Sequence, residues 1–543
     1  MFKKLLLVSS LVVALNASIS IQEIDSKPPS RAKNFMIWQY LKQNITAKEA
    51  DYAYSQVLGS IPKIRKLHAK KSKTRKKLKL TRKDKCRAKK NLLEIVDKEC
   101  LDWAINPYKT LRMSNFERKL LSLKVDSSDT KRFLSLQSEP VSQKSFENYS
   151  SNAVMKLFVN TTQSNRRKNL NIHLSPDFLN RLSSSKKINY FVKIVLGDKT
   201  LDKLRYSITR MSGENLNGKS NFSLALYCLK NNQYKKAMKF FNYTSQTAKR
   251  QRDKDKGTFW MYQVSKKKKY LEKLLISRSI NIYTLYAHEI LDKDVVNYFS
   301  GVETTTEKTK QSIRDPFEWM KIKKEIRATP NKELFELAKK YKQKEMIPVQ
   351  THILERAYGY NMHGFVMPYD EYLKGVSIDE KALVYAIMKQ ESIFIPAALS
   401  RSFALGLMQI MPFVTDDISK RMKKPIKSYS DMFQPEYNIK YALSHLNWQK
   451  KSLYHPLFMA YAYNGGMGFL RKHLRTTGAF SQGKYEPFLS METMKNAESR
   501  EYGKRVLSNY VMYKKILGEE VSIVRLFDTL MYPKMTDRFR KQG

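Results

Sequence analysis

The sequence predicts an all-α protein, and three observations point there. From about residue 30 to 350 apolar residues recur at spacings of three and four, the repeat of one helix face, with few Gly or Pro to interrupt them. The strict alternation of a half-buried strand is scarce. Cap and turn residues also cut the pattern into short amphipathic pieces, which must pair to bury their stripes.

Taken in order, NFMIWQYLKQNITAKEADYAYSQVLGS reads as two short helices joined at Asn44 to Thr46, with Thr46 capping the second and Glu49 three residues on. NFSLALYCLKNNQYKKAMKFFNYTS repeats the logic: Asn231 and Asn232 break two amphipathic segments, and Ala237 sits small on the packing face. Stacked helical pairs of this kind form an α-superhelix, here of irregular repeats without a fixed period, expected over residues 18–311. Pro and Gly thicken around DPFEWM and PVQTHILERAYGYNMHGFVMPYDEYLKG, so residues 312–375 are expected to form a helical linker domain. A further unit, residues 376–543, opens with Ser377 and Glu380 at capping-box spacing ahead of the helix KALVYAIMKQES.

The chain has 543 residues, enough for several domains, and 42% of them are apolar, enough for sizeable cores. Its first residues, 1–17, combine Lys3 and Lys4, an apolar run from Leu5 to Leu15 and the small Ala17, the pattern of a cleaved signal peptide. That run is far shorter than the ~20 apolar residues of a spanning helix, and no Cys follows to carry a lipid, so the expected location is the periplasm, exported and soluble, with no transmembrane anchor. Cys86, Cys100 and Cys228 form no disulfide framework and no zinc spacing; Cys86 and Cys100 are free either to pair or to remain buried thiols.

Lys and Arg number 101 against 50 Asp and Glu, a net charge of +51, concentrated between Lys63 and Lys90. Such a run on its own suggests nucleic acid. Outside the cytoplasm the abundant polyanions are instead wall peptides, lipid headgroups and acidic polymers, so a solvated basic surface with some attraction to the envelope is the expected reading, and no nucleic-acid partner is expected. The sequence holds no HExxH, no phosphate-binding loop and no ligand spacing among its eight His, and neither metal nor cofactor is expected.

Within this basic chain Glu391 stands on an apolar face, seven, four and three residues after Val384, Ile387 and Met388 and just before Pro396. Burial and the negative end of the helix dipole both favour the neutral carboxyl, which suits a general acid near neutral pH. Downstream, Gly406 permits a close backbone approach and Gln409 offers two donors and an acceptor. HPLFMAYAYNGG carries Pro456 at a helix start and Gly465 at its end.

The segments ESIFIPAALSRSFALGLMQIMP, EYNIKYALSHL, AYAYNGG and ESREYGKRVL, in that order over roughly residues 376 to 515, resemble the soluble, Slt-type lytic transglycosylases of bacterial envelopes, whose catalytic domain resembles goose-type lysozyme. The resemblance implies a large helical superstructure followed by a lysozyme-like domain, and a glycan strand of peptidoglycan as substrate. Other envelope proteins remain possible partners. It assigns Glu391 as the single catalytic acid and base. Ser400, Gln409 and Met411 match groove positions, Tyr463 and Asn464 match the family's AYNAG motif with the tyrosine beside the acid, and Glu498 matches a groove acid. Four positions depart from the pattern. Ile395 stands where Asn or Asp precedes Pro, Phe403 replaces Gly and adds bulk near the groove, Gly465 replaces Ala, and Ala442 replaces a helix-packing Gly.

A hydrolytic glycosidase needs a second carboxylate, about 5 Å away as nucleophile or about 6.5 to 9.5 Å away as base. In the matched motifs no acid stands near Glu391 in sequence: Asp416 and Asp417 follow beyond MQIMP on the next expected helix, and Glu498 is far along the chain. In the resembled family the muramic acid's own C6 hydroxyl attacks instead, closing a 1,6-anhydro ring, so one carboxylate suffices. The alternatives are a hydrolytic muramidase, a noncatalytic wall-binding scaffold, and a nucleic-acid binder.

Overall fold

The computed structural model describes residues 19–72, 81–138 and 142–540. The expected signal peptide at 1–17 and the middle of the basic run lie outside those residues. The described chain is all-α, as expected. Its one sheet is a parallel pair of two-residue strands, Tyr298–Phe299 beside His363–Gly364.

The described residues form two compact units, one of 19–72 with 278–540 and one within 81–277. This differs from the expected boundary between 311 and 312. Residues expected at the start and end of the superhelix sort with the C-terminal unit, because their side chains are spent there. Phe35 and Trp38 lie 5.3 and 5.7 Å from the Phe403 ring. Tyr283 bonds to Glu492, whose carboxylate also accepts from Lys504 at 3.0 Å in a buried cluster.

In the unit of residues 77–277, helices pack chiefly on their neighbours in sequence. Gly218–Lys230 packs on Tyr234–Thr247, which packs on Gln251–Ser265, followed by Lys269–Leu275. The predicted break falls at Asn231 and Asn232, the latter at φ +57°, and Ala237 is fully buried between the two helices. Here too Cys86 and Cys100 form a disulfide across 14 residues, while Cys228 is a buried thiol.

In the other unit the predicted N-terminal hairpin is present as Arg31–Tyr40 and Ala47–Ser55, with the capping box of Thr46 and Glu49 closed in both directions. The stretch 312–375 builds a small core from Ile313, Ile322, Ile326, Leu334, Val349 and Ile353. Ile395 is part of the same core, at 2% exposure. That explains the first departure from the family pattern: the residue before Pro396 is a hydrophobic plug here. The adjacent Ala397 N–H donates to Ile313 O at 3.0 Å, fastening the loop after Glu391 to this core.

Candidate active site

The Glu391 helix runs Ile378–Ser392 and starts as its cap residues dictate, Ser377 Oγ accepting from the Glu380 N–H. Val384, Ile387 and Met388 are fully buried, and Glu391 follows on their face, half-buried at the helix end. Ile393 and Phe394 both adopt left-handed backbone, φ +52° and +63°, so the chain leaves the helix two residues beyond Glu391. Such conformations cost about 1–3 kcal/mol each for bulky residues and persist where surroundings hold them. Here the Tyr369 hydroxyl donates to Phe394 O at 3.2 Å and Ile395 is plugged into its core.

Opposite lies the helix Ala497–Ile516, whose contact with the Glu391 helix combines the stacked pair Tyr385 and Tyr513 with a row of polar bonds. The Tyr502 hydroxyl donates to Glu391 Oε1 at 2.8 Å. Arg505 Nε donates to Gln390 Oε1 at 2.7 Å, and Asn509 Nδ2 to Ala386 O at 3.1 Å. Residues 502, 505 and 509 share one helix face, and together they address the last two turns of the partner helix. A second tie holds the Glu391 helix from behind: Lys389 Nζ pairs with the buried Glu355 at 3.0 Å and donates to Gly364 O.

Burial is the main force on the Glu391 carboxyl and raises its pKa to about 7. The Tyr502 hydrogen bond and the Arg505 charge pull it down, and the negative charge of Glu498 pushes it up. Glu498 is exposed in the first turn of its helix, four residues before Tyr502 and on the same face. It therefore acts on Glu391 as a like charge.

The ALGLMQ segment forms a tight double turn. Leu399 and Leu405, then Leu405 and Ile410, pair as antiparallel bridges. Gly406 sits at φ +74°, where an added Cβ would lie 2.1 Å from Met432 O and 2.2 Å from Asn438 Nδ2, so only glycine fits. Asn438 is fully buried beneath it. Its Oδ1 accepts from Met408 N at 2.8 Å and its Nδ2 donates to Leu405 O and Met432 O at 3.0 and 2.8 Å. Gln409, at φ +48°, spends both amide hydrogens on Ala398 O and Gly406 O, at 2.9 and 2.8 Å, leaving Oε1 as its remaining acceptor. Ser400 Oγ accepts from Ala404 N at 2.9 Å and Ser402 N at 3.2 Å, keeping its own hydrogen to donate.

Tyr463 lies in the last turn of the helix Pro456–Gly465, which begins and stops where Pro456 and Gly465 predicted. Its hydroxyl donates to Met408 O at 2.7 Å, and burial, with the Glu391 charge second, raises its pKa far above the ordinary phenol value. The tyrosine thus joins the turn bearing Gln409 to the surroundings of Glu391. Asn464 Oδ1 accepts from Ser499 Oγ at 2.9 Å. That closeness accounts for Gly465 in place of Ala, since a Cβ there would meet Ser499 Oγ at 2.6 Å and the Phe469 ring at 2.9 Å. Met411 precedes the helix Pro412–Met422, and its carbonyl accepts from Val414 and Thr415.

The structure thus gathers Glu391, Gln409, Tyr463 and Glu498 through shared neighbours, while Ser400 lies on the adjoining loop. Phe403 was expected to add bulk near the groove; its ring is fully buried and packs on Phe35 and Trp38. Sequence reasoning missed Tyr502 and Asn438. Both had a signal, the one four residues after Glu498 and the other a polar residue on the apolar face of Ile439 and Ala442. No group of three or more His, Cys, Asp or Glu that could hold a metal gathers among the described residues.

Residues 373–485, which hold the tyrosine-bonded carboxyl and the Gly406 turn, match the family described as "Transglycosylase SLT domain". The chain is similar to the soluble lytic murein transglycosylase of Escherichia coli K12, 28% identical over 184 residues, covering 33% of this chain and 28% of that protein. It is also similar to the membrane-bound lytic murein transglycosylase C of Pectobacterium atrosepticum, 40% identical over 101 residues, covering 16% of this chain and 28% of that one. The matched segment thus spans just over a quarter of the curated relatives' length. The fold agrees over far more of the chain. The 70 kDa soluble lytic transglycosylase of Escherichia coli superposes with a TM-score of 0.53 at 16% identity, over 95% of this chain and 85% of that one. An inactive mutant of the lytic transglycosylase Slt of Pseudomonas aeruginosa superposes at 0.50 and 14%, over 92% and 84%. The resemblance drawn from the motifs therefore holds in sequence for the SLT domain and in fold beyond it.

Proposed function

We propose that this protein is a peptidoglycan lytic transglycosylase acting in the periplasm, which cuts the β-1,4 bond between N-acetylmuramic acid and N-acetylglucosamine and leaves a 1,6-anhydro end. One observation carries the reading: the Glu391 carboxyl lies at a helix end where burial favours its neutral form and raises its pKa to about 7, and it accepts a hydrogen bond from the Tyr502 hydroxyl at 2.8 Å.

In this scheme the Glu391 carboxyl gives its proton to the glycosidic oxygen as the bond from the muramic C1 breaks. The positive charge building at C1 is met by the carboxylate just formed. That carboxylate then takes the proton of the muramic C6 hydroxyl while the C6 oxygen bonds to C1. Glu391 ends protonated, no water is consumed, and no second carboxylate is needed. Ser400, the Gln409 Oε1, Met411, Tyr463, Asn464 and Glu498 are the positions proposed to line the strand. The excess of cations suits an anionic wall, and no helix among the described residues is long and apolar enough to cross a membrane.

The test is mass spectrometry of purified sacculi digested with the full chain. Anhydro-muropeptides are expected from the wild type and none from Glu391→Gln. Reducing muramic ends would instead make the protein a muramidase, and no release at all would leave a wall-binding scaffold.

A further inference from the structure

Phe403 is the departure that family resemblance does not explain, and the two rings nearest it come from residues 35 and 38, outside the SLT-matched segment. It holds φ +63°, a conformation natural to glycine, with its ring fully buried. The rings that receive it belong to the N-terminal helix Arg31–Tyr40: Phe35 at 5.3 Å and Trp38 at 5.7 Å, with Tyr429 completing the cluster 6.4 and 6.0 Å from these two. Lys42 Nζ sits 4.0 Å over Trp38, and Lys63 Nζ lies 5.9 Å over Phe403 itself. Two cations from the same N-terminal stretch also grip the loop backbone on either side of Ser400. Arg31 Nη1 donates to Leu399 O at 2.9 Å, and Lys63 Nζ donates to Ser402 O at 2.7 Å.

A glycine would take this backbone without strain but would give the loop nothing to be held by. A buried aromatic here is unfavourable locally and persists only because its socket over-determines it. The Ser400 loop is thereby pinned at one ring and two carbonyls by residues more than 330 positions away in sequence.

We propose that Phe403 is a positioning residue for the glycan groove, and that the helices of residues 31–63 are its clamp. They fix the Ser400 loop in the geometry a sugar strand requires, which makes them a working part of the active unit. The inference rests on the proposed glycan-cleaving function. It predicts an effect on strand binding that leaves proton transfer at Glu391 unchanged, because Glu391 is held by Tyr502 and Lys389 by Glu355, on other elements.

The experiment uses full-length chains carrying Phe403→Leu, Trp38→Ala, Lys63→Met or Trp38→Phe, assayed on a soluble tetrasaccharide of alternating N-acetylglucosamine and N-acetylmuramic acid. Phe403→Leu, Trp38→Ala and Lys63→Met should raise KM about tenfold, change kcat less than about twofold and leave the alkaline limb of the pH profile in place. Trp38→Phe keeps a ring in the socket and should stay within about twofold of wild type. Lys63→Met removes a surface tether without opening a cavity, so it decides the matter if either aromatic variant fails to fold. An unchanged KM in folded Lys63→Met overturns the proposal, as does a pH profile that moves with it. Affinity for the same tetrasaccharide, measured calorimetrically in Glu391→Gln with and without Lys63→Met, reads the clamp without any chemistry. If wild type releases no anhydro sugar the functional reading fails, while equal affinities in that pair sink the clamp alone.

Discussion

Replacing Tyr502 by Phe removes one hydrogen bond from Glu391 and should change where activity falls with pH. In the wild type, burial raises the carboxyl to about 7, and the Tyr502 hydroxyl is the foremost influence pulling it down. A hydrogen bond to an ionised group contributes about 1.5–3 kcal/mol, whereas a neutral carboxyl accepts the same bond for about 1 kcal/mol. The difference, about 1.4 kcal/mol, equals about one pH unit. Because the general acid works protonated, the alkaline limb of kcat/KM should move from about 7 in the wild type to about 8 in Tyr502→Phe. At pH 8 the protonated fraction of Glu391 should then be about fivefold larger in the variant. The position of the limb is the readout, since losing the hydroxyl also loosens Glu391 and lowers the absolute rate. A limb that stays put, or moves toward acid, would refute the electrostatic account, and NMR titration of labelled glutamate checks the same pKa without turnover.

Two stability effects follow from the same geometry. Glu391 binds its proton more tightly folded, at about 7, than at its ordinary 4.5, so its stabilising contribution is complete below 4.5 and is lost as pH rises through 7. Glu391→Gln should therefore match wild type near pH 4 and exceed it by up to about 3 kcal/mol above pH 8 in urea unfolding, and equal stabilities at both pH values would contradict that burial. Gly406→Ala places a Cβ 2.1 Å from Met432 O at φ +74°, and should cost about 3 kcal/mol or more, read as a fall in Tm together with lost sacculus cleavage. A Tm within about 1 °C of wild type would show that the turn relaxes freely.

Much of the candidate site was legible because its signals are local. Ser377 with Glu380, Thr46 with Glu49, Pro456 and Gly465 act within one or two helical turns, and each sits where its chemistry requires. Glu391 stood out because a carboxylate on an apolar stripe needs a reason. Other parts were not legible. Tyr502 reads as one more aromatic on an amphipathic helix until its hydroxyl is found on a residue 111 positions earlier. Phe403 read as bulk in a groove because a ring's direction is set by what surrounds it, and the nearest rings come from residues 35 and 38. The chain divides at 277 and 278, where composition gave 311 and 312, since composition does not reveal which neighbours a helix will find.

By itself, then, the amino-acid order determined the helices, their caps and the one carboxyl on a greasy face, because backbone hydrogen bonds and side-chain periodicity reach only a few residues. Tertiary structure decided which groups meet that carboxyl and what holds the loop beside it. Those contacts join segments separated by a hundred residues or more, and only packing of the whole unit brings them within hydrogen-bond range.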